Sequence, residues 1–356
     1  MPAPTTEPRT VFDLEVHLGE TWAGIRAAKA KTEELRGRLT AALGSLDDPN
    51  ASVVVTGSLG RGEATDSSDA DWLLLVDGPS NPDHARMARE IDDAVSGAGF
   101  KAVGTTGTFG DVVASHDLVH YIAGTKDTNE NLTRRMLLLS ESHAISSPLV
   151  RERVLRNVLT RYVVLDRSVQ GFHPIPHFLL NDVVRYWRTI ASDYASKMWN
   201  RNKEGWATRN VKLRFSRKLL YAWGLLASFA GSLFPSPALT AAAGVNEDEY
   251  VSHLADLIRT LTDVTPLDLV SRAASHVHIP DATKREIFGS YDKFISIMSD
   301  KDKRTRLDKL AFSEAASDSV YGELRDLSHT FREGINRLFF HEHPEISPLI
   351  RKYGVF

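Results

Sequence analysis

The chain has 356 residues, enough for two domains or one large one, and it contains no cysteine, which excludes disulfides, thiolate metal sites and a cysteine nucleophile. A net charge of −3 with 42% hydrophobic and 25% charged residues describes an ordinary soluble globular protein, with no global pull toward nucleic acid or membrane. The absence of cysteine also suits a cytoplasmic protein.

In chain order, Met1 to Thr10 is polar and proline-bearing and has no apolar core, so it reads as a loose tail rather than a signal peptide. Residues 14–45 have helical spacing. Ala51 to Thr56 is a β-branched strand, and Gly57 to Gly62 is a tight turn opening a short helix. Asp71 to Val76 is a second strand and Asp83 to Ser96 a helix. Phe100 to Ile122 leans toward β-structure, with Leu118 to Ile122 the clearest strand. Beyond Gly124 the chain reads as successive helices, from Thr128 to Ser142 and then near 147–164, 175–200, 207–233, 246–262, 278–299 and 314–338, with a short last one over Ser347 to Tyr353. The apolar run Leu219 to Phe234 is short for a bilayer span and holds glycine and serine, so it reads as a buried helix. The fold expected is therefore an α/β domain over 1–125 followed by an all-α domain over 126–356 that shapes a cleft.

The chemistry concentrates in Gly57-Ser58-Leu59-Gly60-Arg61-Gly62-Glu63 and Ser68-Asp69-Ala70-Asp71. A glycine turn opening a helix offers backbone N–H groups to phosphate oxygens, and Ser58 adds a hydroxyl. Carboxylates at i and i+2 of an extended chain point to one side, so Asp69 and Asp71 form a pair of hard oxygen ligands suited to magnesium beside phosphates. Gripped phosphates, a bridging metal and an aligned hydroxyl are the requirements of nucleotidyl transfer.

This pattern resembles the signature of DNA polymerase β-like nucleotidyltransferases, and in its filled-in form the branch holding the bacterial uridylyltransferase of nitrogen signalling. The resemblance covers residues 53–76. It implies a mixed-sheet core, Mg2+ or Mn2+ dependence, phosphate binding by Gly57 and Ser58, and metal binding by Asp69 and Asp71. Arg61 and Glu63 are read as bracing the turn. A third carboxylate on a neighbouring strand is usual in the superfamily; Asp117 is the first choice and Asp111 the second. Helical domains of the superfamily commonly contribute lysine and serine to the triphosphate.

Residues 181–220 hold ten Lys and Arg against three acids, a local balance of +7. On a helix from about Ala207, Arg209, Lys212 and Ser216 share one face, and Val211, Phe215, Leu219 and Ala222 the core face. Arg209 and Lys212 are assigned to triphosphate or acceptor binding, ahead of Arg217 and Lys218, against a plain solvated basic face. Trp199 and Trp206 are candidates for base stacking or for packing. His173 with His177, and His341 with His343, read as structural or surface residues. Tyr353 is a hydroxyl near the end of the chain that would suit an acceptor or primer, against simple docking of the terminus by Tyr353 and Phe356.

Three functions follow. The first moves NMP or dNMP from a nucleoside triphosphate, such as ATP, to a hydroxyl of a small molecule or nucleic acid, or polymerises nucleotides without a template. The second nucleotidylates a protein hydroxyl. The third binds nucleotide without catalysis, as an antitoxin-type partner would. The hydrolase and sensor domains of the nitrogen-signalling enzyme find no counterpart here. A transferase with a helical partner domain also resembles antiphage signalling synthases, including Hailong-type nucleotidyltransferases, whose linear oligodeoxyadenylate implies a separately encoded effector.

Overall fold

A computed structural model describes residues 10–44, 46, 48–100, 108–200 and 203–354; Met1 to Arg9 of the expected tail, part of the expected β-leaning stretch, Arg201 and Phe356 lie outside them. The chain runs α1 (Val11–Leu18), α2 (Ala23–Ala42), β1 (Ala51–Val55), α3 (Gly57–Arg61), β2 (Trp72–Val76), α4 (Asp83–Gly97), β3 (Asp111–Ala114), α5 (Ser115–His120), α6 (Asn129–Ser140), β4 (His143–Ala144), α7 (Pro148–Gln170) and α8 (His177–Asn200). It continues with α9 (Trp206–Lys212), a π turn (Leu213–Arg217), α10 (Lys218–Ser228), α11 (Ala230–Leu233), α12 (Pro237–Ala242), α13 (Glu247–Thr262), α14 (Pro266–Ala274), α15 (Asp281–Ser299), α16 (Lys301–Lys309), α17 (Ser319–Asn336), a second π turn (Arg337–Glu342) and α18 (Ile346–Tyr353). None of these helices is long and apolar enough to cross a membrane.

Contacts divide the chain into two compact units. One contains Lys29–Tyr186 and Ala230–Thr265, and the other Met1–Ala28, Trp187–Phe229 and Pro266–Phe356. The first unit holds a mixed four-stranded sheet, ordered β3-β2-β1-β4. β1 and β2 are antiparallel, from Ala51 opposite Val76 to Val55 opposite Trp72. β3 lies parallel to β2, with Asp111 beside Leu73. The short β4 closes the far edge, with His143 opposite Val55.

Side-chain alternation sorts the sheet into two faces. Val53, Val55, Trp72 and Leu74 bury against Leu35 and Leu39 of α2 and Ile91 and Val95 of α4. Val54, Leu73, Leu75 and Val113 are buried on the other face. Strands covered on both sides explain the unbroken apolar runs. Behind the sheet, wholly buried Arg135 on α6 donates to the Tyr162 hydroxyl at 2.7 Å, to Asp182 at 2.7 Å and to Asp127 at 3.1 Å, tying α6, α7 and α8 together.

Local physics accounts for the departures from expectation. The helix expected over 14–45 breaks at Gly19, which adopts a left-handed φ of 65° and closes α1 onto the carbonyls of Glu15 and Val16. The strand expected over Leu118 to Ile122 is absent; α5 occupies Ser115–His120 instead. Only Leu118 and Ile122 of that run are buried, four residues apart, which is a helical interval. The helix expected over 207–233 is interrupted by the π turn and again after Ser228. Val211, Phe215, Leu219 and Ala222 are buried as expected. Ser216 does not share the exposed face of Lys212: it is buried, and its hydroxyl accepts from Tyr291 at 3.4 Å. A wide turn carries an extra residue, which shifts the face presented beyond it.

Candidate active site

The C-terminal end of β1 and the N-terminal ends of β2 and β3 meet at one edge of the sheet. The β1–β2 ladder extends one step past the strands, where Thr56 N–H donates to the Asp71 carbonyl at 2.8 Å. The chain then turns through Gly57 at φ 66° into α3. This is a backbone conformation that side chains resist, and space gives a second reason for glycine: a Cβ there would stand 2.9 Å from Asp71 Oδ2. The backbone of the turn and the Asp71 carboxylate are thus held in direct contact range.

The turn is braced from several sides. Ser58 Oγ donates to Ser68 Oγ at 3.1 Å, and Ser68 Oγ accepts from Thr65 N–H at 2.9 Å, linking α3 to the loop that leads to the aspartates. Arg61 is buried and pairs with Glu63 at 2.8 Å and with Glu141. Arg36 caps the other end of α3, donating to the Leu59 carbonyl through Nε at 2.9 Å and to the Gly60 carbonyl at 3.0 Å. Gly60 packs so closely on the Glu141 carbonyl that no side chain fits. Thr32 accepts the Ala64 N–H at 2.9 Å. His143, opposite Val55, is pushed down to about 4 by burial and by the nearby Arg36 and Arg151 charges, so it stays neutral.

Asp69, Ala70 and Asp71 lead into β2. Ala70 is buried in the core on the α2 face, so alternation directs its two neighbours to the opposite side. Asp69 is exposed and Asp71 half-buried. Asp111 opens β3 beside Leu73, and the ladder reaches one residue further back, where Gly110 N–H donates to the Trp72 carbonyl at 2.8 Å. Asp111 therefore occupies the same sheet edge and side as Asp71. Its Oδ2 accepts from Arg134 of α6 at 2.8 Å, and Arg134 also contacts Glu130 at 2.9 Å. Asp117, the first choice for the third carboxylate, lies half-buried on α5 rather than on a strand, with its carboxylate 3.4 Å from His116 Nδ1.

A magnesium ion needs only one or two protein carboxylates when phosphates complete its shell. The Asp69–Asp71 pair, with hard oxygens beside a turn stripped of side chains at Gly57, fits that need. Among the described residues no group of three or more His, Asp or Glu is gathered as a metal cage.

Most of the remaining candidates lie in the other unit, and His177 lies in the sheet-bearing one. Arg209 on α9 donates to the Glu204 carbonyl, and Lys212, at the end of α9, is exposed. Trp206 is buried and donates to the Leu310 carbonyl at 2.7 Å, a packing role, whereas Trp199 is exposed. Tyr353 ends α18 with Lys352 Nζ 4.8 Å from its ring centre. His343 is buried and its Nδ1 accepts from Glu345 and Ile346 N–H, both at 3.2 Å, at the start of α18. His177 Nδ1 lies 3.2 Å from Asp166.

Sequence reasoning missed the contributions of Arg36, Arg134 and Glu141. Glu141 is 80 residues from Arg61, and no local pattern announces such a pairing.

The family model described as "Nucleotidyltransferase domain" matches residues 38–102, which span β1, α3, β2 and α4. No curated protein and no solved structure matches the chain. Residues 38–102 are thus similar to a nucleotidyltransferase domain, and a nucleotide is the substrate such a domain implies.

Proposed function

We propose that the protein transfers NMP or dNMP from a nucleoside triphosphate to a hydroxyl acceptor, releasing pyrophosphate, with Mg2+ or Mn2+ held by Asp69 and Asp71. The observation that carries this reading is the close approach of the Gly57 backbone to the Asp71 carboxylate. That approach leaves the backbone N–H groups of the turn next to a carboxylate oxygen, the pairing that a metal-bound phosphate needs. Gly57 and Ser58 bind phosphate oxygens at the mouth of the turn. Arg61, Glu63, Glu141 and Arg36 keep the turn from relaxing, so that orientation is set before substrate arrives. A bound divalent ion supplies charge neutralisation for the phosphates. Asp111, by its register beside Leu73, replaces Asp117 as the third carboxylate and accepts a proton or shares the metal at the acceptor side.

Arg209 and Lys212 are proposed for triphosphate or acceptor binding. Template-independent oligonucleotide synthesis for antiphage signalling is the form of the activity we favour, on the strength of the transferase-plus-helices layout. Tyr353 is the protein hydroxyl to test as acceptor. Incubation with all eight labelled nucleotides, followed by intact-mass analysis of protein and small-molecule fractions, assigns the acceptor. Loss of a protein adduct in Tyr353→Phe supports priming there; an adduct elsewhere removes Tyr353 from the scheme.

The Arg134–Asp111 ion pair favours one second reading, a nucleotide-binding protein that does not catalyse transfer. Asp69→Asn with Asp71→Asn separates the two. Metal-dependent pyrophosphate release that vanishes in a folded double variant supports transfer. Full release in that variant removes Asp69 and Asp71 from the metal site, and no release from the wild type with any nucleotide supports binding alone.

A further inference from the structure

The second unit contains a cationic surface that the transferase reading does not use. Arg214 lies in the π turn, and its Nη1 donates to Ser328 Oγ of α17 at 3.2 Å. Lys218 follows one turn later at the start of α10, close enough to Arg214 and to Arg332 of α17 to feel both charges. Burial and these two neighbours push the Lys218 ammonium down to about 8, with Glu333 opposing them. Among the described residues no carboxylate stands within ion-pair distance of Lys218. Arg325, one turn before Ser328, adds a further exposed cation.

Two acids temper the surface. Arg332 contacts Glu333 at 2.9 Å and Arg325 contacts Asp326 at 3.4 Å. Glu333 also acts on Lys218, so the surface sets four cations, Arg214, Lys218, Arg325 and Arg332, against two acids, and positive charge remains in excess. Beyond Lys218 the same face of α10 presents Tyr221, half-exposed, whose ring lies 5.6 Å from that of Trp187 on α8 at a tilt of 33°. Arg188, next to Trp187, is near enough to act on the Tyr221 phenol.

We propose that α8, the 213–217 π turn with α10, and α17 form a binding surface for single-stranded nucleic acid. Like charges brought together on a folded surface repel one another, and an anion relieves that repulsion. The extent of the surface selects the anion. Residues 325 to 332 of α17 alone cover about 10 Å at 1.5 Å per residue, longer than one phosphate group and suited to consecutive phosphodiesters. Half-exposed aromatic rings at one end supply the stacking platform that flexible single strands use, while cations follow the backbone without reading sequence. The inference stands apart from the transferase reading, because binding needs neither metal nor triphosphate.

The test is fluorescence anisotropy of the full chain with a labelled 20-nucleotide oligo-dT across a salt series, with no nucleotide or divalent metal present. Lys218→Gln with Arg332→Gln should weaken binding at least about ten-fold at low salt. It should also flatten the log–log salt dependence by about 1.4, at roughly 0.7 per cation removed from a single strand. Arg325→Gln with Arg332→Gln, confined to exposed positions, should act in the same direction and covers the case in which the first variant folds poorly. Unaltered affinity in both folded variants overturns the proposal, as does a wild type that fails to bind. Tripolyphosphate that displaces the strand as well as unlabelled oligo-dT, phosphate for phosphate, also overturns it in favour of a lone-anion site.

Discussion

Gly57→Ala separates the two demands placed on the turn. Alanine at φ 66° meets the left-handed penalty of about 1–2 kcal/mol. Its Cβ would also stand 2.9 Å from Asp71 Oδ2, against 3.4 Å or more for ordinary contact, so the carboxylate must retreat by at least half an ångström. The retreat itself is cheap, because the obstacle is the end of a side chain and not backbone. The expected loss of stability is therefore only the backbone penalty, and the fold survives. At roughly 2–4 °C per kcal/mol for a unit of this size, the melting temperature falls by a few degrees. Transfer is more sensitive, since an ångström of misplacement in a reacting assembly costs about 100-fold. We expect kcat for metal-dependent pyrophosphate release to fall about 10- to 100-fold at a temperature where the variant is fully folded. Wild-type kcat in a folded Gly57→Ala protein would refute the claim that this contact sets the position of Asp71.

Four further outcomes follow from the same geometry. Gly60→Ala should destabilise more than Gly57→Ala, by about 3 kcal/mol, because its Cβ would meet the rigid Glu141 backbone and neither side can yield cheaply; chemical denaturation of the two variants side by side gives the ranking, and equal losses would contradict it. Arg61→Met removes the buried cation shared by Glu63 and Glu141 and should cost about 3–5 kcal/mol, read by the same method, with a loss below about 1 kcal/mol as the contrary result. Arg134→Gln should lower the Mn2+ concentration for half-saturation in a spin-resonance titration, since Asp111 no longer shares its charge with a guanidinium; an unchanged titration would remove Asp111 from the metal site. Finally, His343 is held neutral, down to about 4 against 6.5 for the free side chain, by burial and by His276. The unfolded chain takes up this proton below 6.5 and the folded one only near 4. The stability contributed by neutral His343 is thus complete above pH 6.5 and is lost as the pH falls toward 4, to a total of about 3 kcal/mol. Melting curves from pH 7 to 4.5 should flatten in His343→Gln, and parallel curves would argue against the assignment.

The elements that sequence made legible are those whose signal is local. The β-branched run of β1, the turn at Gly57 and the aspartate pair before β2 each carry their own pattern, and each sits where that pattern places it. The paired edge of β3 was not legible. Asp111-Val112-Val113-Ala114 is four residues long, and its identity as a strand depends on β2 lying beside it. The longer run from Leu118 was more persuasive as a strand, but two buried residues four apart made it a helix. Extra turns such as 213–217 leave no mark on apolar periodicity, so Ser216 could not be distinguished from Lys212 by spacing. The braces of the site are long-range by nature: Arg36 reaches Leu59, and Glu141 reaches Arg61, across segments with no pattern in common.

The two-residue strand β4 gives the catalytic module a dependence on sequence well beyond its own signature. His143 and Ala144 cover the outer edge of β1, and the residues just before them supply the Glu141 carboxylate and the carbonyl against which Gly60 rests. A fragment cut near residue 102 or 125 would leave β1 as a naked apolar edge, the kind that recruits other chains. It would also release α3 on one side. The smallest portable version of this module must therefore run to at least Ile145, whose N–H bonds the Val53 carbonyl at 2.8 Å. Grafting, splitting or fusing the module has to respect that boundary.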